Sequence, residues 1–165
     1  MMKYLILLII ALQILPLYVG MRYAPFPNTS IGIWYDALRK PKFSPPSILF
    51  PIVWTDLYIL MGIAIFRIWS LPYIAPENMN ILRWSGAAFV VQYVLTVLWP
   101  VLFFGWRKLW GAFVITIIIF ILVILMTITF HSFDTISGFL LLPYWMWLVF
   151  ASYLGYSIYQ MNNTD

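Results

Sequence analysis

Hydrophobic residues fall into five long runs along the chain, and most polar residues are collected between the runs. Each run approaches the roughly 20 apolar residues that a helix needs to cross a bilayer. Backbone in lipid must also satisfy its own hydrogen bonds, which favours helices. The pattern predicts an all-α fold with one domain over residues 1–165 and five transmembrane helices, at about residues 4–24, 47–69, 81–104, 110–130 and 136–159.

The first run admits two interpretations, because Lys3 precedes a leucine-rich stretch as in a secretory signal peptide. No small-x-small cleavage site precedes Arg22, however, and the run is long enough to span a bilayer. We therefore interpret it as a retained first helix, bent or loosened at Pro16.

The longest polar-leaning segment covers residues 25–46 and contains Asn28, Asp36 and five prolines. We predict that it forms a structured loop outside the membrane. The Pro45-Pro46 pair excludes helix immediately before it, since a residue that precedes proline is pushed out of the α region. Proline itself suits the first turn of a helix, so the second span is expected to begin near Ser47.

Composition supports a membrane protein, because 64% of the 165 residues are hydrophobic and only 8% are charged. That leaves too few polar groups to cover a water-soluble globule. The absence of cysteine excludes disulfides, thiol nucleophiles and thiolate metal sites. The net charge of +4 does not indicate nucleic-acid binding, because the basic residues lie between apolar runs. The expected partner is the lipid bilayer.

The basic residues also predict the orientation of the chain in the membrane. Three of them fall on the side of the N-terminus, at Lys3, Arg67 and Arg83. Six fall on the opposite side, namely Arg22, Arg39, Lys40, Lys42, Arg107 and Lys108. Because cytoplasmic loops are enriched in lysine and arginine, we expect the first loop and the C-terminus in the cytoplasm and the N-terminus outside.

Three runs place aromatic and polar residues on one face at helical spacing. These residues are Trp54, Tyr58, Met61 and Ile65 in the second run, Gln92, Thr96, Trp99 and Phe103 in the third, and Tyr144, Trp147, Ala151 and Leu154 in the fifth. Membrane helices usually approach each other through small residues, so three tryptophan-bearing faces imply helices held apart. Two interpretations stay open: the rings pack the core, or they line a cavity for a flat apolar ligand.

The fourth run is almost unbroken isoleucine, leucine, valine and phenylalanine. We expect this run to lie most fully against lipid. Its threonines, Thr116, Thr127 and Thr129, can bond back to their own helix.

Few ionisable residues indicate chemistry. Asp56 lies inside the second span, about 200° around the helix from Trp54, where it would serve interhelical bonding, proton or ion coupling, or interfacial contact. We interpret His131 and Asp134 as solvated loop residues, since one imidazole and one carboxylate do not make a metal site. No Ser/His/Asp set or buried carboxylate pair supports hydrolysis or group transfer.

Three ordered motifs resemble the TspO/MBR family, which includes the mitochondrial translocator protein. The first is Trp34-Tyr35-x-x-Leu38-x-Lys40-Pro41-x-Phe43-x-Pro45-Pro46 with Trp54-Thr55-x-Leu57-Tyr58-x-x-Met61-Gly62. The second is Gln92-x-x-Leu95-x-x-x-Trp99-Pro100-x-x-Phe103-Phe104-Gly105. The third is Pro143-Tyr144-x-x-Trp147-x-x-Phe150-Ala151-x-x-Leu154. Together they extend over nearly the whole chain.

The resemblance implies a five-helix bundle, often a homodimer, whose cavity opens beneath the first loop and binds porphyrins, haem-like tetrapyrroles or sterols. The implied pocket consists of Trp54, Tyr58, Trp99, Phe103, Trp147, Ala151 and Leu154, with Thr96 as a polar group and Trp34, Tyr35 and Phe43 in the covering loop. Thr96 and Gly155 stand where the family usually has asparagine, which removes two amides near the cavity. No cofactor or metal is required.

The function that the resemblance implies is tetrapyrrole binding for transport, sensing or regulation, in a prokaryotic cell membrane. A second hypothesis is light-dependent porphyrin degradation with Trp54 and Trp147 as redox-active groups, although no catalytic residue is firmly indicated. A third is an ion-coupled transporter that uses Asp56, for which one carboxylate gives no continuous polar path.

Overall fold

The structure, a computed structural model, describes residues 14–71 and 75–163. Its helices are α1 (described over 14–22), α2 (Ser30–Ala37), α3 (Leu49–Trp69), α4 (Met79–Pro100), α5 (Leu109–Phe133) and α6 (Thr135–Asn162), with a 3₁₀ turn at Pro76–Asn78 and a π turn at Val101–Gly105. Within these described ranges there is no strand. The all-α prediction is therefore confirmed.

Among the described residues, four helices are long and apolar enough to cross a membrane: α3, α4 with its π turn, α5 and α6. The predicted first span, residues 4–24, lies largely outside the described residues, and its described part is helical over 14–22. Helix α3 begins at Leu49, two residues after the predicted start. Asp134 is the single residue between α5 and α6. Helix α6 begins at Thr135 and continues to Asn162.

Helix α5 lies between α4 and α6, and α3 packs on the other side of α6. The buried face of α5 consists of Ala112, Thr116, Ile119, Val123, Met126 and Phe130. This buried face shows that the prediction of a segment lying most fully against lipid is wrong. The sequence could not reveal the buried side, because an all-apolar helix has no polar face. The three threonines do donate to carbonyls of their own helix, as predicted.

The predicted loop at 25–46 contains a helix that the sequence pattern did not indicate. Thr29 caps the start of α2, because its hydroxyl oxygen accepts the backbone N–H of Gly32 at 3.0 Å. A side chain at Gly32 would collide with the carbonyl oxygen of Phe26, so the turn before α2 closes only over a glycine. These contacts give the loop a helical core of eight residues.

The prediction that Asp134 is a solvated loop residue is also wrong. Its side chain is only 17% exposed and accepts two hydrogen bonds from Arg67. The same carboxylate caps α6 by accepting from the backbone N–H and the hydroxyl of Ser137. Asp134 thus joins the ends of α3, α5 and α6.

Candidate functional site

A small aromatic cavity lies where α2 covers the ends of the long helices. Helices α3, α4, α5 and α6 all contribute to its walls. The lining residues are Tyr35, Phe50, Trp54, Trp99, Phe103, Phe104, Thr116, Ile119, Trp147, Leu148, Ala151, Leu154, Gly155 and Ile158. The cavity volume is about 40 Å³. This is room for roughly three water molecules at about 10–15 Å³ each.

The end of α4 shapes one wall of this cavity because Pro100 interrupts its hydrogen bonding. Proline has no N–H to donate, and its ring crowds the carbonyl one turn earlier. The backbone widens into the π turn at Val101–Gly105, which closes with Trp106 N–H donating to the carbonyl of Val101 at 2.8 Å. The indole of Trp99 stacks on Phe103, with ring centroids 4.9 Å apart and planes 10° apart.

Two tryptophans of the cavity differ in how their indole N–H groups are satisfied. Trp99 Nε1 donates to Thr116 Oγ1 at 2.8 Å, and that hydroxyl donates in turn to the carbonyl of Ala112. Trp147 Nε1 is buried and has no hydrogen-bond partner among the described residues. A buried donor without an acceptor is costly in free energy, by about 1–3 kcal/mol. Trp147 is also one of the residues that line the cavity.

A buried polar cluster lies deeper in the bundle, beside the cavity wall. Gln92 is fully buried, and its side-chain oxygen accepts from Tyr144 Oη at 3.2 Å. Thr96 Oγ1 lies 3.1 Å from Tyr144 Oη and donates to the carbonyl of Gln92 at 2.8 Å. Gln92 Nε2 lies 3.2 Å from Met61 Sδ. These groups satisfy one another, so they orient α3, α4 and α6 rather than face the cavity.

Helix α2 covers the cavity through aromatic edges. Trp34 and Tyr35 both contact Phe103, with centroid distances of 6.0 and 6.3 Å. Asn162 at the end of α6 fixes the chain after α2, because its amide accepts from the Arg39 N–H at 3.0 Å and donates to the Arg39 carbonyl at 2.8 Å. Burial and the nearby charge of Asp36 raise the pKa of Tyr35 to about 12, so its hydroxyl stays neutral.

Comparison with known proteins identifies the origin of this arrangement. A model of the TspO/MBR family matches residues 8–161 of the chain. The chain belongs to the TspO/MBR family. The resemblance predicted from the three sequence motifs is confirmed, and the long apolar helices agree with a membrane protein.

Relatives of the TspO/MBR family come from distant organisms. The chain is 38% identical over 134 residues to "Protein CrtK" of Rhodobacter capsulatus, covering 81% of each chain. It is 35% identical over 157 residues to "Tryptophan-rich protein TspO" of Archaeoglobus fulgidus, covering 95% of this chain and 98% of the relative. It is 30% identical over 154 residues to "Translocator protein" of Ovis aries, covering 87% and 89%.

The structure brings together most residues that the TspO/MBR resemblance assigned to a pocket. Seven of them line the cavity, namely Tyr35, Trp54, Trp99, Phe103, Trp147, Ala151 and Leu154. Tyr58 lies behind the wall, where its ring contacts Trp54 at 5.5 Å, and Thr96 belongs to the polar cluster. Trp34 contacts Phe103 without lining the cavity, and Phe43 is 80% exposed.

Seven other cavity residues were not among those assigned to the pocket from sequence, although Gly155 was placed near it. They are Phe50, Phe104, Thr116, Ile119, Leu148, Gly155 and Ile158. Phe50 lies one turn before Trp54, and Gly155 and Ile158 continue the face that begins at Trp147 and Ala151. Helical spacing was the available signal for these three. Thr116 and Ile119 had no such signal, because their run is apolar on every side.

Asp56 is exposed on α3 and is absent from the cavity wall. It forms no hydrogen bond or ion pair with any residue that the structure describes. His131 is exposed in the last turn of α5, where its ring meets Phe139 edge-on at 5.3 Å. Over the described ranges, no three His, Asp or Glu side chains come together as a metal site.

Proposed function

We propose that this TspO/MBR family member binds a tetrapyrrole, or another flat hydrophobic molecule, in the cavity beneath α2. The observation that favours this function most is the indole N–H of Trp147, a cavity-lining residue, which has no hydrogen-bond partner among the described residues. Trp54, Trp99 and Phe103 supply faces and edges on which a flat ring can stack. Trp147 then supplies one oriented donor to an acceptor atom of the ligand.

A tetrapyrrole is far larger than the present cavity, so binding requires an opened state. We expect α2 to be the element that moves, because its rings contact the bundle through their edges. Within the described ranges, only the two hydrogen bonds of Asn162 join residues 25–45 to the long helices. We expect the ligand to displace α2 and the rings that it covers, with the deeper cluster around Gln92 remaining in place.

The proposed setting is a prokaryotic cell membrane crossed five times, with residues 4–24 as the first span. The first loop and the C-terminus would lie in the cytoplasm and the N-terminus outside, following the distribution of lysine and arginine. The family resemblance supports a homodimer. The protein would act in transport, sensing or regulation of tetrapyrroles, with no cofactor beyond the porphyrin or haem that it binds.

Quenching of tryptophan fluorescence by protoporphyrin IX tests this function. The purified protein in nanodiscs is expected to show saturable quenching. Replacing both Trp54 and Trp147 by phenylalanine should weaken binding by roughly 5- to 150-fold, at about 0.5–1.5 kcal/mol for each aromatic contact. Trp84→Phe is the matched control, because Trp84 is exposed outside the cavity. Quenching that never saturates, or that is equal in all variants, would contradict the proposal.

A second candidate function is light-dependent degradation of the bound porphyrin. It is favoured by the position of Trp54 and Trp147 on the same cavity, with Trp54 also 5.9 Å from the ring of Tyr144. Indole rings beside a photoexcited porphyrin can take part in radical chemistry without a metal. Absorbance spectra of the illuminated complex would reveal conversion, and replacement of Trp54 or Trp147 should abolish it. Unchanged porphyrin after illumination would leave binding as the function.

A further inference from the structure

Basic residues surround the end of the bundle that carries α2. Arg39, Lys40 and Lys42 follow α2, and Arg107 and Lys108 connect the π turn to α5. At the opposite end Arg67 is already paired with Asp134. Of the other described basic residues, Arg83 also lies at that opposite end, so most of the basic residues lie at the end that carries α2.

Two of these cations lie over aromatic rings of α2. Lys40 Nζ lies 4.1 Å from the centroid of Tyr35, and Tyr35 lines the cavity. Arg107 Cζ lies 5.3 Å from the centroid of Trp34, whose other edge meets Phe103. Both distances are within the range of cation–π attraction. The two charges thus lie above the same group of rings.

The backbone around Arg107 explains why its side chain is held at this position. Arg107 has a φ of 56°, in the left-handed region that most residues avoid. The turn is closed by the N–H of Lys108, which donates to the carbonyl of Leu102 at 2.9 Å. From this turn between the π turn and α5, the side chain of Arg107 reaches Trp34 of α2.

Little negative charge balances these two cations. Lys40 lies 3.7 Å from Asp36, whose side chain is 78% exposed, so water and salt weaken that pair. Arg107 has no ion pair with any part of the chain that the structure describes. The neutral hydroxyl of Tyr35 adds no competing anion. A cationic pair with one weak counter-charge beside an apolar cavity matches a ligand that is apolar at one end and anionic at the other.

We propose that Lys40 and Arg107 form an anion-binding rim that receives the ionised acid groups of the ligand while its ring system occupies the cavity. The proposal rests on the proposed function and narrows its ligand class to flat aromatic carboxylates, such as dicarboxylic tetrapyrroles. Each charge-assisted contact at the rim is expected to strengthen binding by roughly tenfold. Added salt should weaken the acid form selectively, because the rim is open to solvent.

Protoporphyrin IX and its dimethyl ester share the ring system and differ in charge. A comparison of the two ligands therefore distinguishes binding at the rim from binding in the cavity. Both would be titrated by tryptophan quenching in nanodiscs of neutral phosphatidylcholine. The unmodified protein should bind the acid roughly tenfold or more tightly than the ester. In the double variant Lys40→Gln/Arg107→Gln, the two ligands should bind about equally, at the ester's affinity. The comparison of acid and ester in the unmodified protein does not depend on whether the double variant folds.

The matched control is Lys42→Gln/Lys108→Gln, which removes the same charge from two exposed neighbours that contact no described ring. This variant should retain the preference for the acid. Loss of that preference would mean that the basic surface attracts the acid in general, and it would overturn the proposed rim. Equal binding of acid and ester by the unmodified protein would overturn the rim and leave the proposed function standing. Binding of neither ligand would overturn both.

Discussion

Arg67 and Asp134, 67 positions apart, form a two-pronged ion pair at the end of the bundle opposite α2. Arg67 Nε lies 2.8 Å from Asp134 Oδ2, and Nη2 lies 2.9 Å from Oδ1. The parallel arrangement matches the planar guanidinium to the carboxylate. Because Asp134 also caps α6, one side chain fixes both the position of α3 and the start of α6.

Substitutions at Asp134 are expected to distinguish its contribution as a helix cap from its contribution to the ion pair. Asparagine caps helices about as well as aspartate but cannot form the ion pair. Asp134→Asn should therefore lower the thermal midpoint in detergent, and Asp134→Ala should lower it further. The added loss is about 1 kcal/mol for the cap, or roughly 2–4 °C for a chain of this size. Equal midpoints for the two variants would contradict the capping role.

The stabilisation by Asp134 is expected to depend on pH. Hydrogen bonds from Arg67, and then from Ser137, hold the pKa of Asp134 well below its usual range. A carboxylate whose pKa is lowered by folding stabilises the protein above its unfolded pKa, near 4, and loses that effect as the pH falls further. The difference in thermal midpoint between the unmodified protein and Asp134→Asn should be constant from pH 5 to 8 and shrink below about pH 4. A difference that grew in acid would refute the assignment.

Gly138 allows α5 and α6 to meet closely just after their one-residue turn. A Cβ atom at this position would lie 2.7 Å from the Cα of His131 and still closer to its Cβ, so the turn would have to open. Gly138→Ala should destabilise the protein by about 1–3 kcal/mol in thermal denaturation. Gly86→Ala is the matched control, since its Cβ meets no atom within 4 Å. There we expect a gain of about 0.4–1 kcal/mol. Similar effects at both glycines would contradict the packing argument.

The long helices could be predicted from sequence because apolar run length is a local property of the chain. The grouping of Trp54, Trp99 and Trp147 on one cavity followed from helical spacing together with family motifs. The pair of Arg67 and Asp134 could not be predicted in this way, since neither residue reveals its distant partner. The size of the cavity could not be predicted either. Helical spacing shows which rings share a face, but it does not show how much of the space between the helices those rings fill.

The contact of Thr116 with Trp99 was also beyond sequence reasoning, and it gives a test of the cavity wall. Thr116→Val keeps the shape of the side chain but removes the acceptor of the Trp99 indole N–H. An unpaired buried donor costs about 1–3 kcal/mol, which thermal denaturation would detect. Thr127→Val is the control, because the Thr127 hydroxyl bonds only to the carbonyl of Val123 in its own helix. A loss at Thr127 as large as at Thr116 would refute the indole contact.

Asn162 is expected to control the opening of α2, because its amide makes both hydrogen bonds to Arg39. Removing the amide in Asn162→Ala costs roughly 1–2 kcal/mol of local stability, which raises the open fraction roughly 5- to 30-fold. Trypsin should then cleave after the exposed Lys42 faster by about that factor, and porphyrin exchange should accelerate likewise. Asn163→Ala is the control, since Asn163 donates to Tyr159 and leaves Arg39 untouched. Equal cleavage rates in the two variants would show that Asn162 does not restrain α2.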